Sequence, residues 1–186
     1  MTHKCLNWLD NYNKALPVMV FDLEKLKKNY FLFKKKFLGI KPYYAVKANP
    51  NHKIINLLNC LGSYFDCASI NEIKLCIRHN VNPRKISFGN TIKKERDISE
   101  AYKLGVKIFA YDAKQELEKI AKHAPRAKVF CRIQVPNGGS QWPLSNKFGC
   151  NPKNVEDFIL LSKKLKLDPA GVSFHVGSQQ KSKATW

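Results

Sequence analysis

The chain has 186 residues, and 33 lysines and arginines against 14 acidic residues give it a net charge of +19. That charge is typical of nucleic-acid binding, but no zinc finger, helix-turn-helix or RNA-binding aromatic motif accompanies it, so we rank nucleic-acid binding well below an enzyme. The six cysteines form no Cys-x-x-Cys pair and no metal-ligand spacing with histidine, which argues against a metal site. No stretch approaches the ~20 apolar residues of a membrane span, and residues 1–15 lack the apolar region of a signal peptide. We therefore expect a cytoplasmic protein with reduced thiols and no membrane contact.

The first predicted elements are a short strand and a long amphipathic helix. Pro17–Phe21 is predicted as the strand. Asp22 is the predicted N-cap of the helix, whose apolar residues recur at helical spacing along one face, and Gly39 ends it. A second strand, Tyr43 to Val46, then places Lys47 at its carboxyl end. A lysine in an apolar strand end, where it loses solvation, can form a Schiff base with an aldehyde cofactor.

Strands and helices alternate along the rest of the chain. Further strands are predicted to end near residues 68, 88, 111, 135 and 175, with a loop rich in glycine and proline over residues 136–150. The predicted helix caps are Ser69 with Glu72, Asp112 with Gln115, and Asn151 followed by Pro152.

The spacing of the strand ends predicts the fold class. Five residues at or near these ends lie 19, 23, 22 and 21 positions apart in the sequence, namely Lys47, Asp66, Gly89, Tyr111 and Arg132. A steady strand–helix period predicts parallel strands with right-handed crossovers, as in a barrel or a doubly wound sheet. No glycine-rich loop follows the Lys47 strand, which counts against the doubly wound sheet. We therefore predict an α/β fold, an incomplete (β/α)8 barrel of about six parallel strands, since a complete barrel typically needs about 250 residues.

Five segments in register carry a family resemblance that runs from about residue 17 to the end of the chain. They are Pro42–Pro50, Tyr64–Ser69 with Glu72 and Ile73, Cys131–Ile133, Asn146–Gly149 and Ser173–Gln179. Together they resemble the fold-type III pyridoxal-phosphate (PLP) decarboxylases of ornithine, diaminopimelate and arginine, most of all the ornithine decarboxylases. The resemblance implies an alanine racemase-like, PLP-binding barrel as the N-terminal domain of a longer enzyme.

The resemblance also implies roles for individual residues. Lys47 matches the lysine that holds PLP as a Schiff base, and His175 matches the histidine that stacks on the cofactor ring, so both are candidate catalytic and cofactor-binding residues. Ser178 matches a phosphate-binding serine. Asp66 and Arg132 match residues of the cofactor pocket, although a barrel-mouth ion pair is an alternative for these two. We interpret Cys67 and the loop from Trp142 to Cys150 as structural.

The implied activity is decarboxylation of L-ornithine to putrescine and CO2, a step of polyamine biosynthesis. Diaminopimelate decarboxylation, which belongs to lysine biosynthesis, is an alternative, and a non-catalytic, decarboxylase-like regulatory protein is another. The resemblance implies an amino-acid substrate, a homodimer with shared active sites and, for this chain, a possible complementing C-terminal chain.

Only eleven residues follow His175, too few for two more strand–helix units. We therefore expect a truncated chain that lacks the family's glycine loop, its carboxylate for the pyridine nitrogen and most of a second, β-rich domain. In this division, residues 1–21 are an N-terminal segment whose strand belongs to the absent β-domain, and residues 22–186 are the partial barrel. Such a chain is expected to be inactive alone and prone to aggregation.

Overall fold

The structure is a computed structural model that describes residues 2–136, 138–144 and 147–186. Its helices are α1 (His3–Asp10), α2 (Leu23–Lys36), α3 (His52–Cys60), α4 (Ile70–Arg78), α5 (Glu95–Lys103), α6 (Lys114–His123) and α7 (Val155–Lys164). Its strands are β1 (Tyr43–Ala45), β2 (Tyr64–Cys67), β3 (Ile86–Phe88), β4 (Ile108–Tyr111), β5 (Lys128–Arg132), β6 (Ser140–Trp142), β7 (Asp168–Ser173) and β8 (Ser178–Gln180). Short 3-10 turns lie at Val46–Ala48, Pro83–Lys85, Pro152–Asn154 and Lys183–Thr185.

Six of the strands form one parallel sheet in the order β1-β2-β3-β4-β5-β7. Each strand is joined to its neighbour through a helix, as the strand-end spacing predicts. Within the described residues, β1 and β7 are the edges of this sheet. The predicted α/β class and the incomplete (β/α)8 barrel of about six strands are therefore confirmed.

The two faces of the sheet are covered differently. Alternate strand residues, such as Phe65, Ile86, Phe109 and Val129, are fully buried with apolar residues of the helices and form the core. The intervening residues point to the other face and line an open cleft: Ala45, Asp66, Ile108, Phe130 and Ser173. Since side chains alternate along a strand, one face builds the core and the other is free to build a site.

The predicted helix caps at Asp22, Ser69 and Asn151 are formed. The Asp22 carboxylate accepts hydrogen bonds from the backbone N–H groups of Glu24 and Lys25, and its other oxygen accepts from the Thr2 hydroxyl. The Ser69 hydroxyl accepts from the N–H of Glu72 at 3.3 Å, but the Glu72 carboxylate accepts from Ala68 and not from Ser69. The Asn151 side chain accepts from the N–H of Lys153.

Two expectations at helix and strand ends are wrong. Asp112 with Gln115 does not cap α6: Ala113 occupies the N-cap position without a side-chain hydrogen bond, because the Asp112 carboxylate accepts from the N–H of Gly149. Pro17–Phe21 forms no strand in the described part of the chain, since no neighbouring strand supplies ladder hydrogen bonds to it. Val18, Met19 and Phe21 in that segment are exposed.

Two elements were missed in the sequence. Helix α1 precedes the segment of residues 17–21. A small antiparallel pair joins β6 to β8, with Ser140 opposite Gln180 and Trp142 opposite Ser178, so the predicted loop after β5 contains a strand. Both strands have three residues, too few to show an alternating pattern in the sequence.

A buried charge cluster holds the turn after β3 against α6. The Lys93 side chain is inaccessible to solvent, and its ammonium group lies 2.9 Å from the Glu116 carboxylate and donates to the carbonyl oxygens of Asn90 and Ala110. The same carboxylate binds Lys119 at 2.6 Å. Burial lowers the pKa of Lys93, while the negative charge of Glu116 raises it. Since Asn90 lines the cleft, the cluster fixes part of the cleft wall.

Three further findings concern the thiols, possible metal ligands and possible membrane spans. All six cysteines are free thiols, and Cys60 alone of the six is exposed. Among the described residues, no three histidine, cysteine or acidic side chains are grouped to hold a metal ion, and no helix has the length and apolar character to cross a membrane.

Candidate functional site

The candidate site is a cleft of about 860 Å³ that covers the open face of the parallel sheet and reaches the carboxyl ends of its strands. It is lined by four of the five predicted site residues, Lys47, Asp66, Arg132 and His175, which come from four separate parts of the chain. Parallel strands bring their carboxyl ends to one edge of the sheet, and barrels place their chemistry there. The structure thus brings together residues that are up to 128 positions apart in the sequence.

Lys47 follows β1 within the turn Val46–Ala48. Val46 is fully buried and anchors the turn, and the Tyr44 hydroxyl donates to the carbonyl oxygen of Asn49 at 3.0 Å. Lys47 itself is exposed. The expectation of a desolvated lysine in an apolar strand end is therefore wrong, because the 3-10 turn directs the side chain out of the strand and into the open cleft.

Asp66, in β2, is the acidic residue of the cleft. Burial raises the pKa of its carboxyl group, whereas a hydrogen bond from the Ser87 hydroxyl, 2.7 Å from Oδ1, and the charges of Lys47 and Arg132 lower that pKa. Gly89 borders the same carboxylate so closely that an added Cβ would lie 2.7 Å from the Asp66 carboxyl carbon. A side chain at position 89 would therefore force the Asp66 carboxylate to move.

Arg132 is the last residue of β5, and its guanidinium carbon lies 4.9 Å from the centroid of the Phe148 ring. Burial lowers the pKa of Arg132, and the negative charges of Asp112 and Asp66 raise it. Arginine remains charged in proteins, so this side chain supplies a fixed positive charge to the cleft.

His175 lies two residues beyond the end of β7. Its Nδ1 accepts a hydrogen bond of 2.9 Å from the N–H of Gly177, which fixes the ring and leaves the proton of a neutral ring on Nε2. Burial lowers the pKa of His175, and the positive charges of Arg132 and Lys47 lower it further. At neutral pH the site therefore presents a flat, uncharged imidazole.

The remaining predictions have different outcomes. Ser178 lies in β8, paired with Trp142, and is outside the residues that line the cleft. Cys67 is buried with its sulfur 3.9 Å from that of Cys76, as its packing role predicts. Asn146, in one of the five segments, lies outside the described residues.

Four residues of the site were missed as such in the sequence: Ser87, Gly89, Asp112 and Phe148. Ser87 stands opposite Asp66 in the register of β2 and β3, which no local pattern reveals. Phe148 belongs to a segment that we interpreted as structural. The sequence Lys147-Phe148-Gly149 at the end of a long loop was a signal that could have identified it. Aspartate is a common helix-capping residue, and Asp112 was interpreted as the cap of α6.

Curated relatives match most of the chain. Chloroplastic ornithine decarboxylase from Nicotiana glauca is 37% identical over 163 residues, which are 87% of this chain and 38% of the relative. Ornithine decarboxylase from Saccharomyces cerevisiae is 39% identical over 159 residues, 86% of this chain and 34% of the relative. Antizyme inhibitor 2 from Xenopus laevis is 37% identical over 159 residues, 86% of this chain and 35% of the relative. The chain thus spans little more than a third of the length of these proteins.

Solved structures match the fold closely. Lysine decarboxylase from Selenomonas ruminantium gives a TM-score of 0.88 at 32% identity, covering 100% of this chain and 48% of that one. A mutant of SrLDC in complex with PLP gives 0.91 at 32% identity with coverage of 100% and 48%. Arginine decarboxylase of Paramecium bursaria Chlorella virus bound to agmatine gives 0.84 at 31% identity, covering 87% and 44%.

The family itself is defined by residues 23–186, which match the pyridoxal binding domain of the pyridoxal-dependent decarboxylases. That match contains the whole parallel sheet and every residue of the cleft named above. The cofactor of such a domain is PLP. The chain belongs to the pyridoxal-dependent decarboxylase family and carries its pyridoxal binding domain.

Proposed function

We propose that this chain is the PLP-binding part of an amino-acid decarboxylase, with L-ornithine as the first substrate and diaminopimelate as the second. The observation that supports it most is that Lys47, Asp66, Arg132 and His175 line one cleft at the carboxyl ends of the strands. The product of the reaction on L-ornithine is putrescine, a polyamine precursor.

The residues present fit PLP. A cleft of about 860 Å³ falls within the ~300–1,000 Å³ range of cofactor sites. Lys47 is exposed in it, and its Nζ is the atom that would hold the aldehyde carbon covalently. Arg132 supplies a positive charge for an anionic cofactor. When bound, PLP supplies the electron sink for the negative charge left by loss of CO2.

Each chain residue has a distinct proposed task. His175, neutral and fixed by Gly177, offers a flat face for stacking on an aromatic cofactor ring. Asp66, oriented by the Ser87 hydroxyl, places a carboxyl group near the amine of Lys47. Ser178 stays a proposed phosphate ligand on the strength of its motif alone.

The substrate proposal rests on relatives and on one motif. The relatives from Nicotiana glauca and Saccharomyces cerevisiae are named ornithine decarboxylases, and the segment Phe65–Ser69 resembles theirs more than that of the diaminopimelate enzymes. An amino acid with a cationic side chain also needs an acidic partner for its second amine. Among the described residues that line the cleft, Asp66 is the one acid. We therefore propose that a further chain region, supplied in a homodimer with shared active sites or by a complementing C-terminal chain, completes the substrate site.

We also propose a division of the chain. Residues 1–21 form an N-terminal segment that packs with a β-rich domain, and residues 22–186 form the PLP-binding barrel portion. The exposed apolar side chains of Val18, Met19 and Phe21 support this division because they need cover from another element. A cytoplasmic location is proposed on the family resemblance and the reduced thiols.

The test measures PLP binding by equilibrium dialysis. Wild-type chain is expected to retain PLP, Lys47→Arg to bind it much more weakly, and Lys53→Arg, an exposed lysine of α3, to match wild type. Added L-ornithine should change the absorption spectrum of the bound cofactor more than diaminopimelate does. Absence of PLP binding by wild type, or equal binding by Lys47→Arg, would overturn the proposal.

Turnover is a separate measurement. The 186-residue chain alone is expected to release no CO2 from carboxyl-labelled L-ornithine, because the described part of the cleft lining holds one carboxylate and the Ser87 hydroxyl already donates to it. Labelled CO2 released by the chain alone would contradict this expectation while supporting the decarboxylase proposal.

A non-catalytic regulatory protein is the second candidate. It is favoured by the 37% identity to the relative named antizyme inhibitor 2. Binding of a protein partner gives no physical reason to keep Lys47 and His175 together in a cleft, so we rank this candidate lower. Failure of wild-type chain to bind PLP would favour it.

A further inference from the structure

Asp112 lies between β4 and α6, but its carboxylate binds a distant segment of the chain and does not cap the helix. It follows Tyr111, the last residue of β4, and the pairing of Tyr111 with Cys131 places it level with Arg132 on the neighbouring strand. A side chain there was expected to cap α6, but Asp112 leaves that helix without a side-chain cap. Its oxygen Oδ2 instead accepts from the N–H of Gly149, 37 residues away, at 2.9 Å.

The segment that Asp112 holds lies directly over the end of β5. The N–H of Cys150 donates to the carbonyl oxygen of Arg132 at 2.9 Å, and the N–H of Gln134 donates to the carbonyl oxygen of Cys150 at 2.9 Å. Gly149 has a φ of +93°, and a Cβ there would lie 2.8 Å from the backbone nitrogen of Gln134. The segment is therefore pressed against β5, and Phe148 is the side chain that it presents to Arg132.

We propose that Asp112 is a positioning residue for the cofactor cleft: by holding Gly149 it keeps the Phe148 ring over the guanidinium group of Arg132 and fixes the direction of that cation. This inference rests on the proposed function for its meaning, since Arg132 is the cation that would face the cofactor. A long arginine side chain with few restraints samples many rotamers. Stacking on the Phe148 ring and the negative charge of Asp112 both restrict it, and Asp112 supports the stacking through its hydrogen bond to Gly149.

The test follows two NMR signals in the chain without cofactor, namely hydrogen exchange at the Gly149 amide and the ring-current shift of the Arg132 Nε–H proton. Asp112→Ala should speed Gly149 exchange by at least about tenfold, the effect of losing one charge-assisted hydrogen bond. It should also move the Arg132 signal to its position in Phe148→Leu. Asp112→Asn keeps an acceptor oxygen but loses the charge, so it should leave Gly149 exchange nearer to wild type than Asp112→Ala does and move the Arg132 signal only part of the way. Asp97→Ala, in the first turn of α5 one strand–helix unit earlier, is the matched control and should leave both unchanged.

PLP affinity is the third readout, and Asp112→Ala should weaken it severalfold. A merely structural role would lower the urea midpoint and leave the Arg132 signal in place, and that result, or wild-type Gly149 exchange in Asp112→Ala, would overturn the proposal. If Asp112→Ala does not fold, Asp112→Ser carries the same predictions, because its hydroxyl is too short to reach Gly149. If wild-type chain binds no PLP, the proposed function fails, but the two NMR signals still decide the positioning role.

Discussion

At the scale of single residues, Asp66 is where burial, hydrogen bonding and charge act on one carboxyl group. Its pKa is raised by burial and lowered by Ser87 and two cations, and Gly89 leaves the space that its oxygens occupy. The cleft therefore depends on small neighbours as much as on the charged residues themselves.

Gly89→Ala tests that dependence. The new Cβ would overlap the Asp66 carboxylate, and overpacking of this kind costs about 1–3 kcal/mol. We expect a lower urea midpoint and weaker PLP binding. Gly138→Ala is the control, since a Cβ there would contact nothing within 4 Å. Equal stability of the two variants would show that Asp66 moves aside freely.

Ser87→Ala tests the hydrogen bond to Asp66. Removing a hydrogen bond that favours the charged form should raise the pKa of Asp66 further. A carboxyl whose pKa is raised on folding holds its proton to higher pH than in the unfolded chain. Its contribution to stability is therefore complete below the ordinary value of 3.8 and is lost as the pH rises through the folded pKa.

In Ser87→Ala, the stability that protonated Asp66 contributes should be lost at a higher pH than in wild type. The measurement is an NMR titration of the Asp66 carboxyl carbon together with urea midpoints across the same pH range. Ser99→Ala, in α5, is the control. An unchanged or lowered pKa of Asp66 in Ser87→Ala would contradict the assignment.

Motif residues could be identified from the sequence, whereas their neighbours could not. Lys47, Asp66, Arg132 and His175 each end a predicted strand, and parallel topology brings strand ends together. Ser87 meets Asp66 through strand register, which depends on tertiary structure. The exposure of Lys47 was missed because a 3-10 turn of three residues leaves no periodic signal.

At the scale of elements, the buried cluster of Lys93, Glu116 and Lys119 joins the turn after β3 to α6. Glu116→Gln should destabilise the chain by about 3 kcal/mol, because removing one partner leaves the Lys93 charge buried. Glu118→Gln on the same helix breaks an exposed pair of 3.8 Å and should cost less than about 1 kcal/mol.

The double variant Lys93→Met/Glu116→Leu separates charge from packing. Replacing a buried ion pair by apolar residues of similar volume is often nearly neutral, so this variant should be more stable than Glu116→Gln in urea denaturation. If Glu116→Gln matches Glu118→Gln, the cluster does not stabilise the fold.

Elements were predicted well where amphipathic periodicity and caps agreed, as in α2 with Asp22 and α4 with Ser69. Prediction failed where a side chain of the right type had a distant partner. Asp112 has cap chemistry but binds Gly149, and Pro17–Phe21 has strand composition but no strand beside it. A tertiary contact overrode local preference at Asp112, whereas Pro17–Phe21 lacks, in the described part of the chain, the partner strand that its composition requires.

At the scale of the whole molecule, the two edge strands of the sheet have backbone groups free to pair with another chain. β1 and β7 each pair on one side only in the described part of the chain, and unpaired edges favour association. The net charge of +19 opposes association by repulsion. We therefore expect self-association that increases with salt, because salt screens the repulsion.

Val172→Lys places a charge on the β7 edge and should reduce association in analytical ultracentrifugation. Leu160→Lys is the matched control, since Leu160 on α7 is 58% exposed and Val172 is 53% exposed. Equal effects of the two variants would mean that apolar surface, and not the strand edge, drives association.

The central claim is that Lys47 is the PLP anchor of this cleft. The direct measurement is borohydride reduction of the PLP-loaded chain, followed by peptide mapping with mass spectrometry. We predict a stable label on Lys47 in wild type and its loss in Lys47→Arg, whereas Lys53→Arg should keep the label on Lys47. A label spread over other lysines in wild type, or one that persists at equal level in Lys47→Arg, would contradict the account.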